Sequence, residues 1–213
     1  MSQASSEYSP LLVVLGTRNR KKAEELKDHL AELPIELRTL ADYPGAPEVV
    51  ENGETFLANA RKKATELAQA LNEWVLGEDS GLVVDALGGR PGVLSARFAG
   101  EGASDEANNQ KLLAELAGVP EEKRTAHYVC TAVLADSAGR IRAEVEGRCN
   151  GLLGRVLRGT SGFGYDPLFI IPEYHKTFGE LGVLVKRHLS HRARAIAQLR
   201  VALWQIIQSR TAR

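Results

Sequence analysis

The sequence predicts an α/β protein, on three observations. Short apolar runs of strand length, such as Leu11–Leu15 and residues 74–76, alternate with longer segments whose apolar residues recur every three or four positions. Glycine and proline clusters punctuate the joins. Two strand-like stretches, residues 127–135 and 141–146, are joined by Asp136-Ser137-Ala138-Gly139-Arg140, a hairpin signal. The chain has 213 residues and no break in composition, so residues 11–213 are read as one domain behind a flexible polar tail, residues 1–10.

Each element follows from local pattern. After the buried strand Leu11–Leu15, Gly16-Thr17-Arg18-Asn19 breaks the run, and a helix with Ala23, Leu26, Leu30 and Leu33 on its apolar face begins. Thr17 or Asn19 is its expected N-cap. A strand feeding a helix through a polar turn aims backbone N–H groups and the positive helix end outward, an anion-binding arrangement, and Arg18, Arg20, Lys21 and Lys22 add cations to this one. Pro34 stops the helix, residues 37–40 suit a second strand, and residues 42–53 form an irregular loop carrying Glu48 and Glu51. From about Thr55 a helix buries Phe56, Ala60, Ala64, Leu67, Ala68 and Leu71, with Asn59 and Lys63 projecting from a similar side.

Residues 74–76 deliver Glu78 and Asp79, and residues 82–87 continue or neighbour that strand. Ser104-Asp105-Glu106 opens a helix with acid in its first turn. Leu152, Leu153 and Val156 suit a short strand, and residues 168–171 another. Ser190 caps a last helix that buries Ile196, Leu199, Leu203, Ile206 and Ile207.

Lysine plus arginine equals aspartate plus glutamate, 27 each, so no global field draws the protein toward nucleic acid or a membrane. Cys130 and Cys149 form no CxxC pattern and are expected to be free thiols, at least one of them buried. Residues 11–15 are too short for a signal-peptide core or a membrane span, so a cytoplasmic protein is expected.

Three stretches carry chemistry. Glu78-Asp79-Ser80-Gly81 places two carboxylates side by side after an apolar run. In water-poor surroundings such a pair repels unless a cation, strong donors or a proton offsets it, which points to a metal or phosphate site. A solvated acidic turn is the plainer alternative, and for an acidic pair alone it is the commoner one. Gly162-Phe163-Gly164-Tyr165-Asp166-Pro167 can present a ring face to a planar base while its backbone stays close, or can be a structural turn. His191 and Arg192 fall in the first turn of a helix, where a cation opposes the dipole and an anionic or electron-rich partner is implied.

Glu78-Asp79-Ser80-Gly81, Gly88-Gly89-Arg90-Pro91-Gly92, Ser95-Ala96-Arg97-Phe98, the 162–167 loop and Ser190-His191-Arg192 together resemble the inosine triphosphate pyrophosphatase family, in order from about Leu11 to Leu203. The resemblance implies an elongated mixed central sheet flanked by helices, with two lobes around a nucleotide cleft. It implies hydrolysis of the triphosphates of inosine, deoxyinosine and xanthosine to monophosphate and pyrophosphate, with Mg²⁺, by a homodimer. Residue by residue, Thr17, Arg18, Asn19, Arg20, Lys21 and Lys22 match the triphosphate-binding loop, Lys63 a lysine near the phosphates, and Ser80 a substrate contact. Glu51 matches a metal ligand, and Asp79 the catalytic aspartate that also holds metal. Phe163, Gly164, Tyr165, Asp166, Lys186, His191 and Arg192 match the positions around base and sugar, with His191, Arg192 and Lys186 as expected donors to a 6-oxo group.

The chain departs from the family pattern at Arg18 and Lys21, where glycines are usual, at Glu78, usually aspartate, and at Leu184 and Val185, usually acids. The replaced glycines motivate a rival reading as a nucleotide sensor without catalysis. A phosphatase releasing orthophosphate is the nearer alternative among enzymes.

Overall fold

The first apolar run forms β1 (Leu11–Leu15), and Asn19 caps α1 (Arg20–Leu30) by accepting a hydrogen bond from the Lys22 backbone N–H at 3.1 Å. The computed structural model describes residues 10–211, so the tail expected over residues 1–10 lies, apart from Pro10, outside the described residues. β2 (Ile35–Thr39) follows directly after Pro34. Thr55 caps α2 (Phe56–Leu71) by accepting from the Ala58 N–H, and Asn72 ends it in the left-handed conformation at φ 53°.

The acidic pair does not end a strand. β3 (Trp74–Val84) runs straight through Glu78 and Asp79 because its ladder with β4 (Thr125–Ala135) is continuous from Val75↔Ala135 to Val84↔Ala126. Only residues 85–87 leave it, as a 3-10 turn. α3 (Asp105–Glu115) is capped by Ser104 as expected. β5 (Ile141–Leu153) absorbs Leu152 and Leu153 rather than leaving them to a separate strand, and Val156 lies beyond it, exposed. β6 (Phe169–Ile171) and β7 (Lys176–Thr177) complete the sheet. α4 (Phe178–Leu189) has no counterpart in the sequence reading: it is interrupted at Gly182, φ 80°, which breaks the apolar period. α5 (His191–Thr211) follows.

The seven strands form one mixed sheet in the order β2-β1-β3-β4-β5-β6-β7. β1 lies parallel to β2 and β3, and every later neighbour is antiparallel. Strand residues alternate between faces. On one face Val14, Val75 and Val133 meet Ala60, Ala64 and Leu67 of α2. On the other, Leu15, Leu76 and Leu134 meet Leu26 of α1 and Leu199 and Leu203 of α5. A further core, with Leu82, Val84, Leu112, Tyr128, Phe169 and Phe178, builds a second lobe under α3 and the far end of the sheet.

Pairing of β1 with β3 stops at Leu15↔Leu76, and the next bridge on that edge is Val83↔Pro91. The intervening edge of β3 opens beyond the carboxyl end of β1, the usual place for a ligand in such sheets. A notch there holds the site.

Candidate active site

Alternation along β3 decides what the two carboxylates do. Gly77 faces α2 so closely that a Cβ on it would stand 2.4 Å from the Ala60 carbonyl oxygen, and Asp79, two residues on, faces the same helix. Glu78 faces the opposite side, toward α1 and α5. The two neighbours therefore make separate direct contacts, while the charges of Lys22 and Lys63 offset both carboxylates.

Asp79 receives a hydrogen bond on Oδ2 from Asn59 Nδ2 at 3.0 Å and one on Oδ1 from the Ser80 backbone N–H at 2.9 Å. Lys63 Nζ lies 3.8 Å from Asp79 Oδ1 and donates to Glu51 Oε2 at 2.7 Å, so one ammonium stands between both carboxylates. Asn59 and Lys63 share the inward face of α2, as their spacing predicts. Burial pushes the Asp79 carboxyl up, and Lys63, Lys22 and Asn59 only partly offset it.

Glu78 is fully buried. Lys22 Nζ lies 3.0 Å from its Oε2, while Arg192 donates to its Oε1 at 3.0 Å and Cys130 Sγ to the same oxygen at 3.3 Å. Burial alone would raise this carboxyl, but Lys22, Arg192 and Lys63 outweigh it and hold it well below the usual carboxylate range. Arg192 also donates to Ser80 Oγ at 3.1 Å and pairs with Glu25. Lys186 Nζ lies 2.7 Å from Asp166 Oδ2 and 3.0 Å from Glu25 Oε1. The α5 end that carries His191 and Arg192 reaches the sheet because β5 offers Gly147, whose Cβ would stand 2.2 Å from the His191 carbonyl oxygen.

Asp79, Lys63, Lys22, Arg192 and Lys186 line one cavity of about 370 Å³. Its walls include Thr17, Arg18, Asn19, Lys22, Glu51, Lys63, Asp79 and Ser80 at one end and Phe163, Gly164, Tyr165, Asp166, Lys186, His191 and Arg192 at the other. Phe163 collects cations: Lys186 Nζ lies 4.2 Å from its ring centre and Lys21 Nζ 5.5 Å. Asp166 accepts from the Phe163 backbone N–H at 2.8 Å, and the Tyr165 hydroxyl donates to the Ser95 carbonyl at 2.8 Å, so these two shape the loop.

Two of the expected phosphate contacts stand apart. Arg20 points to solvent and pairs with Glu24, and Lys21 reaches across to Asp105 at 3.5 Å; neither lines the cavity. The replaced glycines cause no strain: among the described residues the only non-glycine positions at positive φ are Asn72 and His175. Arg18 instead donates to the Ala46 carbonyl at 2.8 Å and ties the turn to the Glu51 loop. Of the three expected base donors, Lys186 and Arg192 are held in ion pairs, whereas Nδ1 of His191 is buried without a partner.

Among the described residues no group of three or more His, Cys, Asp or Glu side chains is placed to hold a metal. Glu51 and Asp79 converge on one cationic position, however, and two carboxylates are the donor set a magnesium ion uses when phosphate oxygens and water complete its shell. The residues present therefore fit such an ion.

The model of the Ham1 family matches residues 13–202. The chain belongs to the Ham1 family. It is 54% identical over 197 residues to the dITP/XTP pyrophosphatase of Rhodopirellula baltica, an alignment covering 92% of this chain and 95% of that one. The Geobacter sulfurreducens dITP/XTP pyrophosphatase is 49% identical over 197 residues, 92% of this chain and 98% of its own. Among solved structures, a HAM1 protein from Coxiella burnetii superposes with TM-score 0.84 at 34% identity, covering 92% of this chain and 99% of that one. The mixed sheet with flanking helices is thus the Ham1 fold.

Sequence reasoning passed over several residues of this Ham1 cleft and its support. Glu25, behind the wall, pairs with Lys186 and Arg192; it follows Lys22 by three on α1, and that spacing was the available signal for it. Tyr128 and Asn108 line the cavity, and nothing in their local pattern distinguishes them from core positions.

Proposed function

We propose that this Ham1-family protein hydrolyses non-standard purine nucleoside triphosphates, those of inosine, deoxyinosine and xanthosine, to the monophosphate and pyrophosphate. The observation that carries the reading is the convergence of Glu51 and Asp79 on Lys63 in a cleft whose neighbouring wall is the cationic turn of Thr17, Asn19 and Lys22. The names of the relatives support the same substrate class.

In this reading the turn and the N-terminus of α1 bind the triphosphate through backbone N–H groups and Lys22. Asp79, fixed by Asn59 and Ser80, takes a proton from the attacking water or orients it toward the α-phosphorus. Lys63 balances charge on the departing pyrophosphate. Glu51 and Asp79 would hold Mg²⁺, which when bound supplies charge neutralisation on phosphate oxygens. Phe163 offers a ring face to the base, and Lys186, His191 and Arg192 line its edge.

The partner classes we propose are small-molecule purine nucleotides and a second copy of the chain, with neither nucleic acid nor a membrane. The balanced charge supports the former exclusion, and large apolar side chains left exposed, Val183, Leu184, Val201 and Trp204 among them, support self-association. We place the protein in the cytoplasm, with the nucleotide pool it would act on, and no helix among the described residues is long and apolar enough to cross a membrane. One continuous sheet supports reading residues 11–213 as a single domain.

The test is incubation with Mg²⁺ and, separately, the triphosphates of deoxyinosine, xanthosine, adenosine and guanosine, followed by identification of the phosphate released. Pyrophosphate from the first two alone is expected, and Asp79→Asn should abolish it while the protein stays folded. Orthophosphate as the product, or binding without turnover, would overturn the reading.

A further inference from the structure

Of the three expected base donors, His191 is the one whose side chain no ion pair holds, and its Nδ1 is buried without a partner. A functional histidine is ordinarily oriented by a carbonyl or carboxylate on one ring nitrogen. Here its orientation comes from an aromatic face: Tyr128, on the central strand β4, stacks on the imidazole at 4.6 Å between ring centres and 11° between planes.

Tyr128 is itself immobilised. Its ring leans on Phe169 at 4.6 Å and 48°, and Phe169 stacks on Phe178 at 5.6 Å, so four rings run from the core of the second lobe to the cavity wall. The Tyr128 hydroxyl stands 3.5 Å from Asp166 Oδ1, and Asp166 holds both Lys186 and the Phe163 backbone N–H. One side chain thus touches a base contact with its face and the hub of two others with its tip. The imidazole is also kept neutral: burial, then Arg192 and Lys186, push its pKa well below the ordinary value despite Glu78. A neutral ring recognises a base through where its hydrogen points, so the plane in which it is held governs recognition.

We propose that Tyr128 is a positioning residue for nucleobase recognition, setting the plane of His191 and steadying Asp166, so that it governs substrate affinity rather than the chemical step. This rests on the nucleotide-hydrolysing reading above and deepens it.

The experiment compares wild type, Tyr128→Leu and Tyr128→Phe. Tyr128→Leu removes the ring and is expected to raise KM for deoxyinosine triphosphate about two- to tenfold, the range that the free energy of an aromatic pair corresponds to, with kcat within about twofold. Tyr128→Phe restores the ring and should recover most of that loss. Separately, with no nucleotide present, the carbon-bound ring protons of His191 should show an upfield ring-current shift in wild type and in Tyr128→Phe, lost in Tyr128→Leu. An unshifted His191 in wild type, a Tyr128→Leu variant with unchanged KM, or one that loses kcat alone would each overturn the proposal. If Tyr128→Leu does not fold, the wild-type spectrum and Tyr128→Phe still decide it. A wild type that hydrolyses none of the triphosphates would sink the proposed function, and the ring-current shift would still report whether Tyr128 sets His191.

Discussion

Asn59 donates through Nδ2 to Asp79 Oδ2 at 3.0 Å while its Oδ1 accepts from the Gly53 backbone N–H at 2.7 Å. One buried amide therefore ties the loop that carries Glu51 to the carboxylate on β3, and a Cβ at Gly53 would stand 2.7 Å from that same Oδ1. Replacing Asn59 by Leu should lower kcat about 10- to 100-fold, the usual cost of losing a group that orients a metal ligand, the role proposed for Asp79. Steady-state kinetics over a range of Mg²⁺ concentrations would measure it. An unaltered kcat would show that Asp79 needs no such support.

Glu78 is the buried counter-charge of Lys22 and Arg192. Glu78→Gln keeps the volume and leaves two cations facing an amide, and breaking a buried pair from one side costs about 3–5 kcal/mol. Glu78→Asp keeps the charge at shorter reach and should cost less. Urea denaturation midpoints rank the two, and a Gln variant as stable as the Asp variant would contradict the role given to this charge.

The neutral state of His191 gives stability a pH dependence of definite sign. Its folded pKa lies well below the unfolded value of about 6.5, so as pH falls through that value the unfolded chain takes up a proton that the folded one refuses. The contribution is complete above about pH 6.5 and is progressively lost below it. His191→Phe should flatten the slope of melting temperature against pH between about pH 7 and 5. An identical slope in the variant would assign the acid sensitivity to other groups.

Arg124 is a structural cation that does not line the cavity. Fully buried, it donates to the carbonyls of Leu153 at 2.8 Å, Leu116 at 2.7 Å and Gly154 at 2.7 Å, stapling the stretch after α3 to the end of β5. Arg124→Met takes the donor from the Leu153 and Gly154 carbonyls, while the Leu116 carbonyl keeps the Val119 backbone N–H at 3.0 Å, and should cost about 2–4 kcal/mol, since each buried group left unpaired costs roughly 1–3. Calorimetry would read this as a lower melting temperature, with KM unchanged at a temperature where the variant is folded.

Helices α1, α2, α3 and α5 were legible because each pairs an apolar period with an N-cap residue, and those are local signals. α4 was not, because Gly182 interrupts its pattern. The cleft residues from Thr17 to Arg192 were legible as a family resemblance, and all but Arg20 and Lys21 line one cavity. Glu25 and Tyr128 were not, because their importance lies in contacts with residues distant in the chain.

By itself the sequence determined that carboxylates, cations and a glycine-framed aromatic loop exist at set points along an alternating chain of strands and helices. Only the tertiary structure decided which of them meet. Glu78 and Asp79 are adjacent in the chain, yet the two-residue period of β3 sends one toward Lys22 and Arg192 and the other toward Asn59 and Lys63. That divergence depends on β3 continuing unbroken through the pair, and the continuity is supplied by its ladder with β4, some fifty residues away in the chain.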